Sequence, residues 1–257
     1  MSIGRWAGWA GAIAVAWTCQ SVAAAPPLQL RFVAQPWPPF IHMDNGKLTG
    51  PFVDIVHTAC ESVRAQCTIE LFPWRRALQM VTEGEADGLL AILDLPERRQ
   101  LFHMSPALIR TAYVLYAQQD STLHDPTPAM LAGYTVAAFG PSGTSSVAAR
   151  LAQAAPNARL QVEIDNDTAL RKLRMGRYGA KAVVLINEDL GIWLMRREGD
   201  AGLRQVGEVQ KITYHLALSR KRMAPAVAER LMATLEEMVR SGTVHTIAAR
   251  YGMHGVQ

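Results

Sequence analysis

Three cysteines, seven histidines and no long block of like charge deprive this 257-residue chain of several common chemistries. The histidines show no metal-ligand spacing and none pairs with a cysteine, so neither a metal site nor a cofactor is expected. Lys and Arg exceed Asp and Glu by 26 to 22, yet the longest basic cluster, Ser219-Arg220-Lys221-Arg222, reads as a solvated loop before a helix. Nucleic acid is therefore not an expected partner. Charged residues make up 19% of the chain and hydrophobic residues 49%, which excludes disorder. Short repeats and low-complexity tracts are absent, and beyond the N-terminus no apolar run is long enough for a membrane span.

What is present begins with a leader. Arg5 precedes an apolar, Ala- and Gly-rich run at 6–17, and small residues follow at 21–25. This is the layout of a signal peptide over residues 1–24, cleaved near Ala23, Ala24 and Ala25. Ala16-Trp17-Thr18 before Cys19 is a poor lipobox, so a soluble protein exported to the periplasm is expected. Cys60 and Cys67 remain in the mature chain. In an oxidising compartment an even pair reads as a disulfide, with two free buried thiols as the alternative.

The stretch 74–105 organises the rest. It reads as a short amphipathic helix from Trp74, a turn at Glu83-Gly84-Glu85, a buried strand at 89–93 and a second helix started by Pro96. The run 89–93 has the length of a strand buried on both faces, as in a parallel sheet. Arg98 and Arg99 then sit one turn past its C-terminal end, the rim where open α/β sheets bind ligands.

Upstream, a strand at 28–33 leads into Gln35-Pro36-Trp37-Pro38-Pro39-Phe40, too rich in proline for helix or central strand and hence a rigid loop. Asn45-Gly46-Lys47 reads as a hairpin turn. Phe52, Ile55, Val56, Ala59, Cys60 and Val63 mark one buried helix face, and a strand follows at 68–72. Beyond 112, strands are expected at 113–117 (alternating), 136–139, 160–164, 182–186, 203–209 and 213–219, with helices between most of them. The small-residue turn 140–146 opens one such helix, whose first amides offer an anion site. Thr144 stands where a nucleophile elbow needs its second glycine, so no nucleophilic serine is expected. The fold class is α/β with two lobes: 26–111 plus 210–257, and 112–209. Two crossing segments would form a hinge, with a ligand cleft between the lobes.

The Gly84-x-x-Asp87-Gly88 strand, followed by Pro96-Glu97-Arg98-Arg99 and Phe102-x-x-Ser105-Pro106, resembles family 3 periplasmic solute-binding proteins, the amino-acid receptors of ABC importers. The similarity runs over nearly the whole mature chain. It implies the type II periplasmic-binding-protein fold and a monomer that catalyses nothing. Such a receptor captures a small carboxylate or amino acid by lobe closure and delivers it to an ABC permease in the inner membrane.

The resemblance also implies roles for residues. Trp37 would stack over the ligand, Trp74 would form a second wall, and Arg98 would bind the carboxylate, faced by Thr144 and Ser145 from the second lobe. Two positions depart from the pattern for an amine: Leu93 replaces a Ser or Thr, and Asn187 replaces an Asp. Either Glu188 or Asp189 substitutes, or the ligand is not an ordinary α-amino acid; backbone carbonyls near Ala91 are a further acceptor. The histidine- and lysine/arginine/ornithine-binding proteins carry a bridge at the spacing of Cys60 and Cys67. Two other readings use the same scaffold. One is a lyase of the cyclohexadienyl dehydratase type, with Glu188, Asp189 or His103 as acid–base group; the other is a sensor that presents ligand to a membrane receptor.

Overall fold

The computed structural model describes Met1, residues 27–197 and residues 202–256. The expected leader, Met1 apart, and Cys19 lie outside the described residues. The chain runs β1 (Leu28–Ala34), β2 (His42–Asp44), β3 (Lys47–Thr49), α1 (Pro51–Ser62), β4 (Ala65–Leu71), α2 (Trp74–Glu83), β5 (Gly88–Ile92), α3 (Pro96–Leu101) and β6 (Phe102–Met104). It continues with β7 (Ile109–Gln118), a 3-10 turn (Pro128–Leu131), β8 (Thr135–Phe139), α4 (Gly143–Ala154), β9 (Arg159–Glu163), α5 (Asn166–Arg174) and β10 (Ala182–Asn187). Then come α6 (Glu188–Arg197), β11 (Leu203–Ser219), α7 (Pro225–Arg240), α8 (Thr243–Arg250) and β12 (His254–Gly255).

Local chemistry explains the joints. Asn45 and Gly46 take positive φ (47° and 78°), as the two-residue turn between β2 and β3 requires. Pro51 opens α1, where a missing N–H costs nothing. Past its end Arg64 adopts a left-handed φ of 55° and turns the chain into β4. That reversal brings Cys67 to Cys60, and the two form a disulfide with Cα atoms 6.2 Å apart.

The main sheet has the order β4-β1-β5-β11-β7-β10-β8-β9. β1 is parallel to β4 and β5, and β8 is parallel to β9 and β10. Between these parallel groups, β7 and β11 run antiparallel to each other, and to β10 and β5 respectively. The sequence predicts an alternating strand at 113–117; β7 is longer and buried on both faces, because Tyr113, Leu115 and Ala117 pack into one apolar cluster and Ala112, Val114 and Tyr116 into another. The separate strands expected at 203–209 and 213–219 are one strand, β11. Register shifts between Gln205 and Gly207 and between Glu208 and Gln210 bend it without ending its pairing to β7. One apolar core runs from Phe32, Phe52 and Ile55 through Leu115 and Leu216 to Leu231 and Val244. Among the described residues, no helix is long and apolar enough to cross a membrane.

Candidate ligand-binding site

The C-terminal ends of β1, β5 and β8 open onto one cavity of about 450 Å³, mouth included. Strand ends are where an α/β sheet leaves backbone and loops free to meet a ligand.

From β1 comes the proline-rich loop carrying Gln35 and Trp37, both on the cavity wall. Trp37 is pinned by paired backbone bonds with Ile41, at 2.7 and 2.9 Å. Next to it, Phe40 packs edge-on against Tyr214, with ring centroids 5.2 Å apart. The buried Trp37 Nε1 has no hydrogen-bond partner of normal geometry among the described residues, although it is turned toward the Tyr214 hydroxyl.

From β5 come Ala91, which holds a left-handed φ of 56°, and Leu93. One turn further, Arg98 returns over this strand end. Its Nη1 donates to the Leu93 carbonyl at 2.8 Å, and its guanidinium lies 5.5 Å from the centre of the Trp74 ring. Burial pulls the Arg98 guanidinium below its usual range, with Glu97 and Tyr113 acting in the opposite sense. It makes no ion pair among the described residues. Arg99, by contrast, is exposed and bonds Asp94 at 2.8 and 2.5 Å.

Across the cavity, β8 ends at Phe139 and a short turn leads into α4. Ser142 caps this helix: its hydroxyl accepts from the Ser145 amide at 3.2 Å, and the Ser145 hydroxyl accepts from the Ser142 amide at 2.9 Å. The Ser145 side chain is spent on this box and does not line the cavity. The amides of Gly143 and Thr144 are left without a partner among the described residues, at the positive end of the helix dipole and on the cavity wall. Gly143 is packed so closely that a Cβ there would lie 2.8 Å from Leu93 Cδ1 and 3.1 Å from the Tyr113 hydroxyl.

The floor is made by β7 and β11 through Tyr113 and Tyr214. Burial pushes both phenols up; at Tyr214 only the Trp37 indole acts the other way, whereas Thr144, Tyr214 and Arg98 hold Tyr113 back somewhat. Both hydroxyls therefore stay protonated at neutral pH. No sequence signal singled out these tyrosines, nor Gln35 and Phe139, whereas Gly143 lies in the turn expected to offer an anion site. Tyr113 and Tyr214 look like ordinary strand residues until the pairing of β7 with β11 brings their side chains within reach of each other.

Of the expected site residues, the structure gathers Trp37, Trp74, Ala91, Leu93, Arg98 and Thr144 around this cavity. Asn187 and Glu188 stand elsewhere. Asn187 is fully buried, its Nδ2 donating to Thr111 Oγ1 at 3.1 Å and its Oδ1 accepting from the Leu190 amide at 3.0 Å. It is thus the N-terminal cap of α6. Glu188 lines a separate cavity and accepts from Gln205 Nε2 at 3.3 Å. Asp189, whose carboxyl burial pushes up and Thr111 holds down, is likewise outside the lining, as is His103. Among the described residues, no group of three or more His, Cys, Asp or Glu is arranged to hold a metal ion.

Several solved structures share this architecture. The arginine-, lysine-, histidine-binding protein ArtJ from Geobacillus stearothermophilus is 16% identical, with a TM-score of 0.72 over 88% of this chain and 96% of its own. A histidine kinase sensor domain with similarity to periplasmic binding proteins is 20% identical, with a TM-score of 0.74 over 89% and 97%. A structure from work on glutathione import by GshT and the cystine ABC importer TcyBC of Streptococcus mutans is 14% identical, with a TM-score of 0.76 over 90% and 98%. At these identities the likeness shows the fold alone, that of the type II periplasmic binding proteins. No curated protein matches the sequence. Residues 30–254 match the bacterial extracellular solute-binding proteins, family 3, and the chain belongs to that family.

Proposed function

We propose that the chain is a periplasmic receptor that captures a small carboxylate-bearing solute, an amino acid or an analogue, and delivers it to an ABC permease in the inner membrane. Membership of an extracellular family makes it an exported protein; the periplasmic address, the cleaved leader and the monomeric state belong to the proposal. The observation that carries the reading is the pairing of Arg98 with the α4 N-terminus across one cavity. A guanidinium without an ion pair and two unpartnered amides converge there from opposite sides. A planar carboxylate fits such a fork, and the helix end adds positive potential.

In this reading the lobes are 26–111 plus 210–257, and 112–209, hinged where β7 and β11 cross. A ligand that touches Arg98 and Thr144 together favours the closed form, since only that form satisfies both contacts. Binding and release need no chemistry at the site. Calorimetry against amino acids and simple carboxylic acids, with small-angle X-ray scattering for compaction, tests the proposal. One-to-one binding with a decrease in radius is expected; no binding and no compaction across the panel would remove it. The likeness to a kinase sensor domain favours, as a second reading, a receptor that signals. That reading gains if the liganded chain engages a membrane kinase instead of a permease.

A further inference from the structure

The wall of the cavity is one-sided in its chemistry. Its charge, among the described residues, is the Arg98 guanidinium alone, and no Asp or Glu lines it. Its unpartnered backbone groups are donors, the amides of Gly143 and Thr144, and its side-chain acceptors, the Gln35 amide oxygen and the hydroxyls of Tyr113 and Tyr214, are all neutral. The Leu93 carbonyl, at the strand end where an ammonium would look for an acceptor, already receives Arg98 at 2.8 Å. A cation placed there would sit beside a like charge. At the neighbouring position Leu93 offers a hydrocarbon side chain.

The carboxylates nearest in the fold are engaged elsewhere. Asp94 holds Arg99, and Asp189 is bonded to Thr111. In the adjoining cavity, which shares Gln35, Trp37 and Phe139, Asp165 caps α5 by accepting from the Thr168 amide at 2.6 Å. Asp167 there is paired with Arg197. Asn187 is neutral, with both ends of its amide in use. An ammonium entering the cavity would lose its water without gaining an ionised partner, which low-dielectric surroundings penalise heavily. A carboxylate meets the reverse situation, since it is an acceptor only. The remaining wall, from Trp37, Trp74 and Phe139, offers flat apolar faces.

We infer that the ligand is a carboxylate without an α-ammonium group, a monoanion whose flat or branched apolar body lies among Trp37, Trp74 and Phe139 while its carboxylate meets Arg98 and the α4 amides. The inference rests on the carboxylate-receptor reading and narrows it to a class distinct from the α-amino acids.

Matched pairs that differ only in the amino group test it: 3-phenylpropanoate against L-phenylalanine, 4-methylpentanoate against L-leucine, and indole-3-propanoate against L-tryptophan. Each is titrated by calorimetry into the mature chain and into Arg98→Ala at pH 7.5. The expected result is that the deaminated member of at least one pair binds ten times or more tighter than its amino acid, and that Arg98→Ala weakens it at least tenfold. An amino acid that binds as tightly as its deaminated partner, or tighter, overturns the inference and leaves the carboxylate receptor standing. Binding by none of the six, or binding indifferent to Arg98→Ala, overturns both.

Discussion

Arg98 reaches back five residues to donate to the carbonyl of Leu93 at 2.8 Å. The backbone oxygen at the end of β5 is therefore a fixture for the guanidinium, and Trp74 covers the guanidinium's face at 5.5 Å. Two contacts from two elements orient a side chain that would otherwise roam. The rotamer entropy of an arginine is thus largely spent before a ligand arrives, which is the physical meaning of preorganisation here.

Replacing Arg98 tests that orientation separately from its charge. Lysine keeps one positive charge but has no planar fork, so it cannot hold Leu93 and present two parallel donors together. Arg98→Lys should weaken carboxylate binding by about tenfold and Arg98→Ala by on the order of 100-fold, in line with the cost of truncating a buried charged hydrogen bond. Titration calorimetry of both variants measures this. Equal affinity of Arg98→Lys and the parent would show that charge alone suffices.

Gly143 sets how closely the two sides of the cavity approach. A methyl group there would meet Leu93 Cδ1 at 2.8 Å and the Tyr113 hydroxyl at 3.1 Å, so the two sides of the cavity could not close to this distance without Leu93 shifting. Alanine is also the better residue for the first turn of α4, since it has less backbone freedom to lose. Gly143→Ala should therefore weaken ligand binding by about tenfold while leaving the unliganded chain unchanged or more stable by up to about 1 kcal/mol. Calorimetry and urea unfolding of one variant separate the two effects.

Much of this site was legible in the sequence because its parts are local. The apolar run at 89–93, Pro96 and the two arginines lie within eleven residues, and the turn before α4 announces itself by composition. The tyrosine floor was not legible. Tyr113 lies on β7 and Tyr214 on β11, far apart along the chain; antiparallel pairing sets Tyr113 opposite Gln210 and Tyr214 opposite Ile109, and the two long side chains meet between those positions. Asn187 and Glu188 show the opposite case. Their place after a buried strand suggested a ligand contact, yet the first residue past a strand is also where a helix needs its cap, and Asn187 is used for that. Sequence position alone cannot separate these two demands on one side chain.

Glu163 predicts an acid-sensitive step. It is 5% exposed, and its carboxylate accepts from Lys172 Nζ at 2.7 Å and from the Tyr178 hydroxyl at 3.0 Å. Burial alone would push the carboxyl up, but the bonds from Lys172 and Tyr178 outweigh it and leave Glu163 below its usual range. A lowered folded-state value means this group's stabilisation is complete above the unfolded value, about 4.3, and is lost as pH falls through the folded one. Glu163→Gln should cost about 1–3 kcal/mol at pH 7. The gap from the parent should narrow as pH drops below about 4, in urea unfolding at several pH values. A gap constant with pH would assign the loss to packing.

The bridge between Cys60 and Cys67 should act on stability and not on binding. Its sulfurs join α1 to β4, at the outer strand of the sheet, whereas the cavity opens at the far ends of β1 and β5. The bond closes a loop of sequence separation 7. In the chain-entropy account such a loop removes about 2.5 kcal/mol of freedom from the unfolded ensemble. Cys60 is 2% exposed and Cys67 half-buried, so a reductant reaches the bond from the Cys67 side. Paired substitution by serine would add the cost of a buried hydroxyl, so alanine is the cleaner replacement on the Cys60 side. The variant Cys60→Ala with Cys67→Ser should lose about 2–4 kcal/mol in urea unfolding while its ligand affinity stays within about twofold of the parent. A loss of affinity at unchanged stability would mean that the α1–β4 joint carries strain to the cavity through the apolar core that Cys60 shares with Tyr113 and Tyr214.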